Sequence, residues 1–308
     1  MSRPLSPDAL ARAESFLADH ARPLEHATWT WVKDPSAAKA EAIRAALSTF
    51  RHPDGGFGHA LEPDIQASGA SVYATTVALQ TLRDIGAPAD DPLVTGAMAY
   101  LAASYDADQR AWPMVPADLE SAPHAPWWEG EEDLKERRIN PRAEIVADFL
   151  RWPGALPQET TLSLLGDILP DLAKRSESLE QHELLCALRL LRAPLARADR
   201  TRLESVLRPV VERLVGRDAA AWSEYGLQPL WITEAPDAPY ADDLSDAIEA
   251  NLDWLIETQG ADGAWSPAWD WSFVDAAAWA KAKVAWQGVL TVKTLRALQA
   301  HGRLAGER

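Results

Sequence analysis

Gln259-Gly260-Ala261-Asp262-Gly263-Ala264-Trp265 ends one helical segment, turns on two glycines and closes on a tryptophan. The same order, an acid then an aromatic just past a helix end, recurs three times upstream. Arg51-His52-Pro53-Asp54-Gly55-Gly56-Phe57 is the first copy, Asp106-Ala107-Asp108-Gln109-Arg110-Ala111-Trp112 the second and Gly216-Arg217-Asp218-Ala219-Ala220-Ala221-Trp222 the third. With Asp54, Asp108, Asp218 and Asp262 as the repeat acids, the spacings are 54, 110 and 44 residues. The long gap equals about two of the shorter units, so one copy in the middle has lost its signature. Glycine permits the abrupt reversal, and the aromatic wedges between neighbouring units, which assigns Phe57, Trp112, Trp222 and Trp265 a structural role.

Between these turns the apolar residues recur at three and four. Ala74, Val77, Ala78, Leu82 and Ile85 form one such stripe, and Leu184, Leu185, Leu188, Leu191 and Leu195 another. Ser6-Pro7, Asp91-Pro92 and Asn140-Pro141 pair a capping residue with Pro at the first helical position, and Gly86 and Gly302 sit where helices should stop. The pattern predicts helices near 6–20, 36–50, 71–85, 92–104, 141–151, 159–174, 179–193, 199–215, 241–257 and 284–300, and no alternating strands. The expected class is all-α. Units of roughly 45–55 residues with two helices each make five to six helical hairpins in one domain, 1–308, stacked as an open solenoid or closed into a ring.

Composition narrows the function. The formal charge of −16 repels phosphate backbones, so a nucleic-acid partner is not expected. Cys186 is the single cysteine, which allows no internal disulfide and no multi-cysteine zinc site. No apolar run approaches the roughly 18 residues of a membrane span and the first residues carry no signal-like stretch, so a cytoplasmic protein is expected. Tryptophan is in excess, 14 against five Phe and five Tyr. That excess calls for aromatic lining as well as core.

Gln259–Trp265 resembles the Gln-Trp repeat of triterpene cyclases. Asp54-Gly55-Gly56-Phe57-Gly58 followed by Ala74-Thr75-Thr76-Val77-Ala78-Leu79 resembles the Gly-Gly-Phe turn and inner helix of protein prenyltransferase β subunits. Both groups belong to the terpenoid cyclase and prenyltransferase superfamily, and the resemblance implies an α/α toroid binding an apolar, isoprenoid substrate. The catalytic signatures of those groups are not carried over. The Asp-x-Asp-Asp acid of class II cyclases has only Asp106-Ala107-Asp108-Gln109 as its nearest string, and Cys186 lacks the Asp-x-Cys spacing of the prenyltransferase zinc set.

Six segments carry candidate chemistry. Gly58-His59-Ala60-Leu61-Glu62-Pro63-Asp64 links the first turn to an inner helix and places Glu62 and Asp64 at a cavity mouth, with His59 beside them; their other reading is backbone-capping loop acids. Trp127, Trp128 and Glu129 lie on a long irregular stretch, 113–138, of the kind that serves as a lid or binding element. Trp269, Asp270 and Trp271 belong to a run with five Trp in 22 positions, Trp265 to Trp286. Indole faces stabilise a nearby cation, and equally stack on sugar rings. Glu144, in the first turn of the helix near 141–151, turns inward among Ile145, Phe149 and Leu150 or simply meets the helix dipole. Asp242-Asp243-Leu244-Ser245-Asp246 matches the Asp-Asp-x-x-Asp metal motif of class I synthases, but Leu244, Ala247, Ile248, Leu252 and Leu255 claim the buried face of that helix. The basic run from Lys135 to Arg142 suits a clamp for a diphosphate tail, but it follows Glu129, Glu131, Glu132 and Asp133, and local neutralisation explains it better.

Three functions fit. The first is a cyclase, isomerase or lyase acting on an apolar isoprenoid: Glu62, Asp64 and Asp270 are its candidate acids, Trp127, Trp128, Trp269 and Trp271 line the cavity together with His59, Glu129 and Glu144, and neither metal nor cofactor is required. The second is a carbohydrate-active enzyme with a carboxylate pair in a Trp-lined cleft. The third is a non-catalytic toroid that binds a lipid or small molecule or serves as an interaction scaffold.

Overall fold

The computed structural model describes residues 3–129 and 138–305. The regular elements among them are helices: α1 Pro7–Asp19, α2 Pro23–Lys33, α3 Ala37–Ser48, α4 Val72–Asp84, α5 Pro92–Ala103, α6 Arg142–Arg151, α7 Gln158–Arg175, α8 Gln181–Leu191, α9 Arg197–Leu214, α10 Ala219–Trp222, α11 Ser245–Glu257 and α12 Ala276–Ala300. Pairing between extended segments is limited to isolated bridges among the described residues. Ser6 and Asp91 cap α1 and α5 ahead of Pro7 and Pro92 as expected, and Ile85 and His301 hand over to Gly86 and Gly302 at φ 67° and 64°. Asn140-Pro141 departs from the expected pattern: α6 begins at Arg142 without a side-chain cap. Its first turn is held by the Ala143 N–H on Ile139 O instead.

The chain forms two compact units, Leu47–Leu214 and the paired chain ends Met1–Ala46 with Val215–Arg308. In the first, three hairpins follow one another, α4–α5, α6–α7 and α8–α9, with α6 packed against α4, α5, α7 and α8. Every residue of α6 from Arg142 to Phe149 is buried. By contrast α7 buries one stripe, Thr161, Leu164, Leu165, Ile168, Leu169 and Leu172, and α9 another, Leu203, Leu207, Val210 and Val211. A helix buried all round is an inner helix; a helix buried on a three-to-four stripe is an outer one.

In the unit of chain ends, α12 packs on α1 and α2. The two ends of the polypeptide are stitched together: Leu5 N–H donates to Arg303 O at 2.7 Å and Ala305 N–H to Leu5 O at 3.1 Å. The buried Arg303 guanidinium donates to Arg3 O through Nε and Nη2, and pairs with Glu249 and Asp253 of α11.

The repeat has a definite mechanical role. In the first copy, His52 N–H donates to Gly56 O and Gly55 N–H to His52 O; in the last, Gly260 N–H donates to Ala264 O and Gly263 N–H to Gly260 O. Gly55 and Gly263 stand at φ 95° and 91°, a region closed to most side chains. Phe57 N–H then donates to Thr75 Oγ1 of α4 at 3.0 Å, and Trp265 N–H to Thr291 Oγ1 of α12 at 3.2 Å. The indoles act as caps: Trp112 Nε1 donates to Leu101 O, Trp222 to Gly216 O and Trp265 to Leu255 O, each supplying a donor to a carbonyl at or just beyond a helix end. Asp54, Asp218 and Asp262 brace their turns through backbone N–H groups. In the second copy the bracing acid is Asp106, which accepts from Gln109 N–H, rather than Asp108.

Candidate active site

The loop 58–66 is shaped by two consecutive left-handed residues, His59 at φ 53° and Ala60 at φ 60°. Adjacent non-glycine residues in that region are held there only by their surroundings, and here they turn the following acids inward. Glu62 and Asp64 are both buried, 5% and 2% exposed, and Asp64 N–H points at Glu62 Oε1. The loop is fixed from its other side by the segment 123–125, since Gln66 N–H donates to Pro123 O and Ala125 N–H to Asp64 O. A short 3-10 turn, Pro126–Trp128, follows directly and lays the Trp128 indole edge-on against Tyr73, ring centroids 4.7 Å apart.

Tyr73 belongs to the first turn of α4, set by the Ser71 cap. Burial pushes its phenol well above the usual range, and the negative charge of Glu62 adds to this, so it remains an O–H donor. On α6, Glu144 accepts from Arg189 of α8 at 2.8 Å, with Arg83 of α4 3.9 Å from its second oxygen. One turn further along, Asp148 accepts from Arg83 at 3.2 Å. Burial raises the Asp148 carboxyl to about 8 even against the pull of Arg83, and the neighbouring Glu144 charge adds to the rise. Asp148 is therefore mostly protonated at neutral pH. Cys186 of α8 donates to Asn140 Oδ1 at 3.4 Å; burial, then Glu144, push the thiol far above its ordinary range and keep it un-ionised.

Three buried polar atoms of this cluster have no hydrogen-bond partner among the described residues: Trp128 Nε1, Glu144 Oε1 and Asp148 Oδ2. Because Asp148 Oδ1 accepts from Arg83, the proton of the neutral acid resides on Oδ2, the oxygen without a partner. A protonated carboxyl and an indole N–H of the same cluster are thus desolvated and left without a hydrogen-bond partner among the described residues, the kind of unsatisfied buried group that calls for an explanation.

The structure gathers Glu62, Asp64, Trp128 and Glu144 in the Leu47–Leu214 unit and leaves other candidates at the surface. His59 and Glu129 are exposed, and Trp127 is 44% exposed. Asp270 lies in the other unit and is also exposed. Its carboxylate braces a turn by accepting Ser272 N–H at 2.6 Å, and hydrogen bonding to Ser272 holds it below the usual carboxylate range. That is the opposite of a desolvated proton donor. Trp271 is fully buried against Trp279, 5.7 Å between rings, as core. Trp269 borders a cavity in its unit. Asp242, Asp243 and Asp246 are exposed, with the predicted apolar face of α11 buried beneath them. Glu131, Glu132, Asp133 and the run Lys135–Arg137 fall outside the described residues. Sequence patterning alone does not single out Asp148, Tyr73, Arg83 or Arg189. A signal for Asp148 exists nonetheless: it follows Glu144 at i+4, within the apolar run Ala143, Ile145, Val146, Ala147 and Phe149, so the two acids share one helix face.

Among the described residues no helix is long and apolar enough to cross a membrane. No family model and no curated protein matches the sequence. Solved structures do. The type II terpene cyclase MstE from Scytonema, without ligand, matches with a TM-score of 0.53 at 14% identity, over 95% of this chain and 98% of that one. A single-substitution form of that cyclase, in complex with merosterolic acid A as product, matches at 0.52 and 14%, over 95% and 96%. A protein from Actinoplanes matches at 0.50 and 16%, over 96% and 99%. A likeness that spans both chains end to end at such low identity is a likeness of fold: this chain has the all-α, α/α-toroid fold of the type II terpene cyclases.

Proposed function

We propose that this protein is a terpenoid-cyclase-like enzyme that binds an apolar isoprenoid and starts its rearrangement by protonation, with Asp148 as the acid. One observation carries the reading: a buried carboxyl that is neutral at working pH presents its protonated oxygen to no protein partner among the described residues. The Asp148 O–H bond breaks as a C–H bond forms from the π electrons of a substrate double bond, leaving a carboxylate and a carbocation. Arg83, already on Oδ1, stabilises the carboxylate as its charge develops, which lowers the barrier rather than the ground state. The cation is held by the aromatic rings of Tyr73 and Trp128 with Glu144 beside them, and is quenched by returning a proton to the carboxylate. The type II cyclase MstE has been solved with geranylgeranyl dihydroxybenzoate as substrate, which supports a long prenyl chain as the first ligand class to test.

Incubation with geranylgeranyl- and farnesyl-bearing substrates, followed by mass spectrometry of extracted products, tests this. Cyclised or isomerised product is expected from the wild type, and Asp148→Asn is expected to lower its rate by about 10²–10⁴. If no substrate in the series is converted, the enzyme reading falls. If Asp148→Asn turns over normally while Glu62→Gln or Asp64→Asn is dead, the acid has been misassigned.

A further inference from the structure

The unit of chain ends contains a second feature that the proposed reaction does not use. A cavity of about 360 Å³ opens between the third and fourth copies of the repeat, walled by Trp222, Tyr225, Trp231, Trp254, Trp265 and Trp269. Its size falls in the range of small-molecule sites, roughly 300–1,000 Å³. Glu224 is the one charged side chain among the described lining residues, and it is exposed, as is Tyr225 at 49%, so the two stand at the rim.

Three of the five indoles offer the cavity ring surface and no hydrogen bond. Trp222 Nε1 donates to Gly216 O and Trp265 Nε1 to Leu255 O, while Trp269 Nε1 is buried in a ring set edge-on against Trp286, 5.0 Å between centroids. The ring planes are also strongly inclined to one another, 60° between Trp222 and Trp254 and 79° between Tyr225 and Trp269. Walls at such angles suit a rounded group that touches several faces at once better than a flat ring stacked between parallel plates. One ring already meets a cation of the protein itself: Lys293 Nζ of α12 stands 4.3 Å from the Trp231 centroid, although Lys293 is not part of the cavity lining. Its charge directs any further cation to the other rings.

These features select a ligand chemistry. An anion would meet Glu224, and no Lys, Arg or His among the described residues lines the cavity to pair with it. A sugar needs convergent donors and acceptors, which those three indole walls do not present. A primary ammonium is strongly hydrated and needs acceptors for three N–H groups. A quaternary ammonium needs none, is rounded, and is attracted both to the negative faces of the rings and to the Glu224 carboxylate. The formal charge of −16 on the whole chain favours its approach. We propose that this cavity is a binding site for a trimethylammonium ligand, its head held by Trp222, Trp254 and Tyr225 with Glu224 as the counter-charge at the rim. Such a ligand is independent of the chemistry around Asp148.

The test is titration of the full-length protein with tetramethylammonium, with choline and with 3,3-dimethylbutan-1-ol, the uncharged carbon counterpart of choline, read by tryptophan fluorescence and by calorimetry. Choline is expected to bind saturably and about 10-fold or more tightly than the alcohol, because the two share a shape and differ in charge. Tyr225→Leu and Glu224→Gln should each weaken choline binding about 2–5-fold, with circular dichroism unchanged because both side chains are exposed. Trp254→Leu, in a half-buried wall, should weaken it about 5–30-fold. Lys293→Met should leave the affinity equal or tighter, since it removes a like charge. Absence of saturable binding by both cations overturns the proposal, as does an alcohol that binds as tightly as choline. So does binding unaffected by Tyr225→Leu and Glu224→Gln, or weakened by Lys293→Met, which would mark a site for an anion.

Discussion

Asp148 has a consequence for stability that is independent of any substrate. Its carboxyl titrates near 3.8 when unfolded and at about 8 in the fold, so the folded state holds a proton that the unfolded state releases over that interval. The contribution is fully present below the lower value and is lost as pH rises through the upper one. The thermal midpoint of the wild type should therefore fall between about pH 5 and 8 more steeply than that of Asp148→Asn, whose amide keeps the Arg83 hydrogen bond and does not titrate. Equal slopes would mean that the acid is ionised in the fold. A second residue-scale expectation concerns Gly263. A Cβ there would lie 2.4 Å from Arg12 O, a backbone atom that cannot yield, and φ is already 91°. Gly263→Ala should cost about 3 kcal/mol or more in urea unfolding, against about 1 kcal/mol for Gly302→Ala, which has a similar sign of φ but open space around it. At this scale the sequence is partly legible. Glu62, Asp64 and Glu144 stand out because acids among apolar neighbours are expensive. Arg83 and Arg189 do not, since nothing local marks an arginine that pairs with a residue about 45 to 65 positions away.

The indole caps belong to the element scale. Trp112→Phe and Trp265→Phe should each destabilise by about 2 kcal/mol, because the buried carbonyls of Leu101 and Leu255 lose their donor while most of the ring remains. Chemical denaturation of both variants checks this; a cost near zero would show that the rings matter only as filler. Nearly every helix is visible from its apolar period, since a stripe at three and four survives wherever one face packs on a core. Two departures have physical causes. Helix α2 hides because Thr28-Trp29-Thr30-Trp31 alternates like a strand, yet the threonine hydroxyls donate back to Leu24 O and His26 O and are satisfied inside the helix. Helix α12 begins at Ala276, well before the expected 284, because Ala276-Ala277-Ala278 has no polar contrast to show a period; Asp275 caps it through the N–H groups of Ala277 and Ala278.

For the molecule as a whole, the period alone leaves open solenoid and ring equally admissible, and it is the resemblance of the Gln-Trp turns that implies the ring. Stacking of neighbouring hairpins is local and leaves a period; a contact between residues some 300 positions apart leaves none, because no window of sequence contains both partners. Arg303, which donates to Arg3 O, makes such a contact. Arg303→Ala should lower stability by about 2 kcal/mol, mainly through the two lost donors to Arg3 O, since Glu249 and Asp253 are solvated and their pairing is screened. Arg303→Lys should recover less than half of that, because an ammonium cannot reproduce the fork. A thermal midpoint unchanged by either substitution would remove the clasp from the account.

The bridge from Leu5 to Leu304 also frees the protein from its own reading order. With Leu5 already bonded to Arg303 and Ala305, a short glycine-serine splice from residue 305 back to residue 3 would let the gene be opened elsewhere, for instance in the surface segment 194–196, and a circular permutant translated from that point would be asked to make the same contacts as the parent.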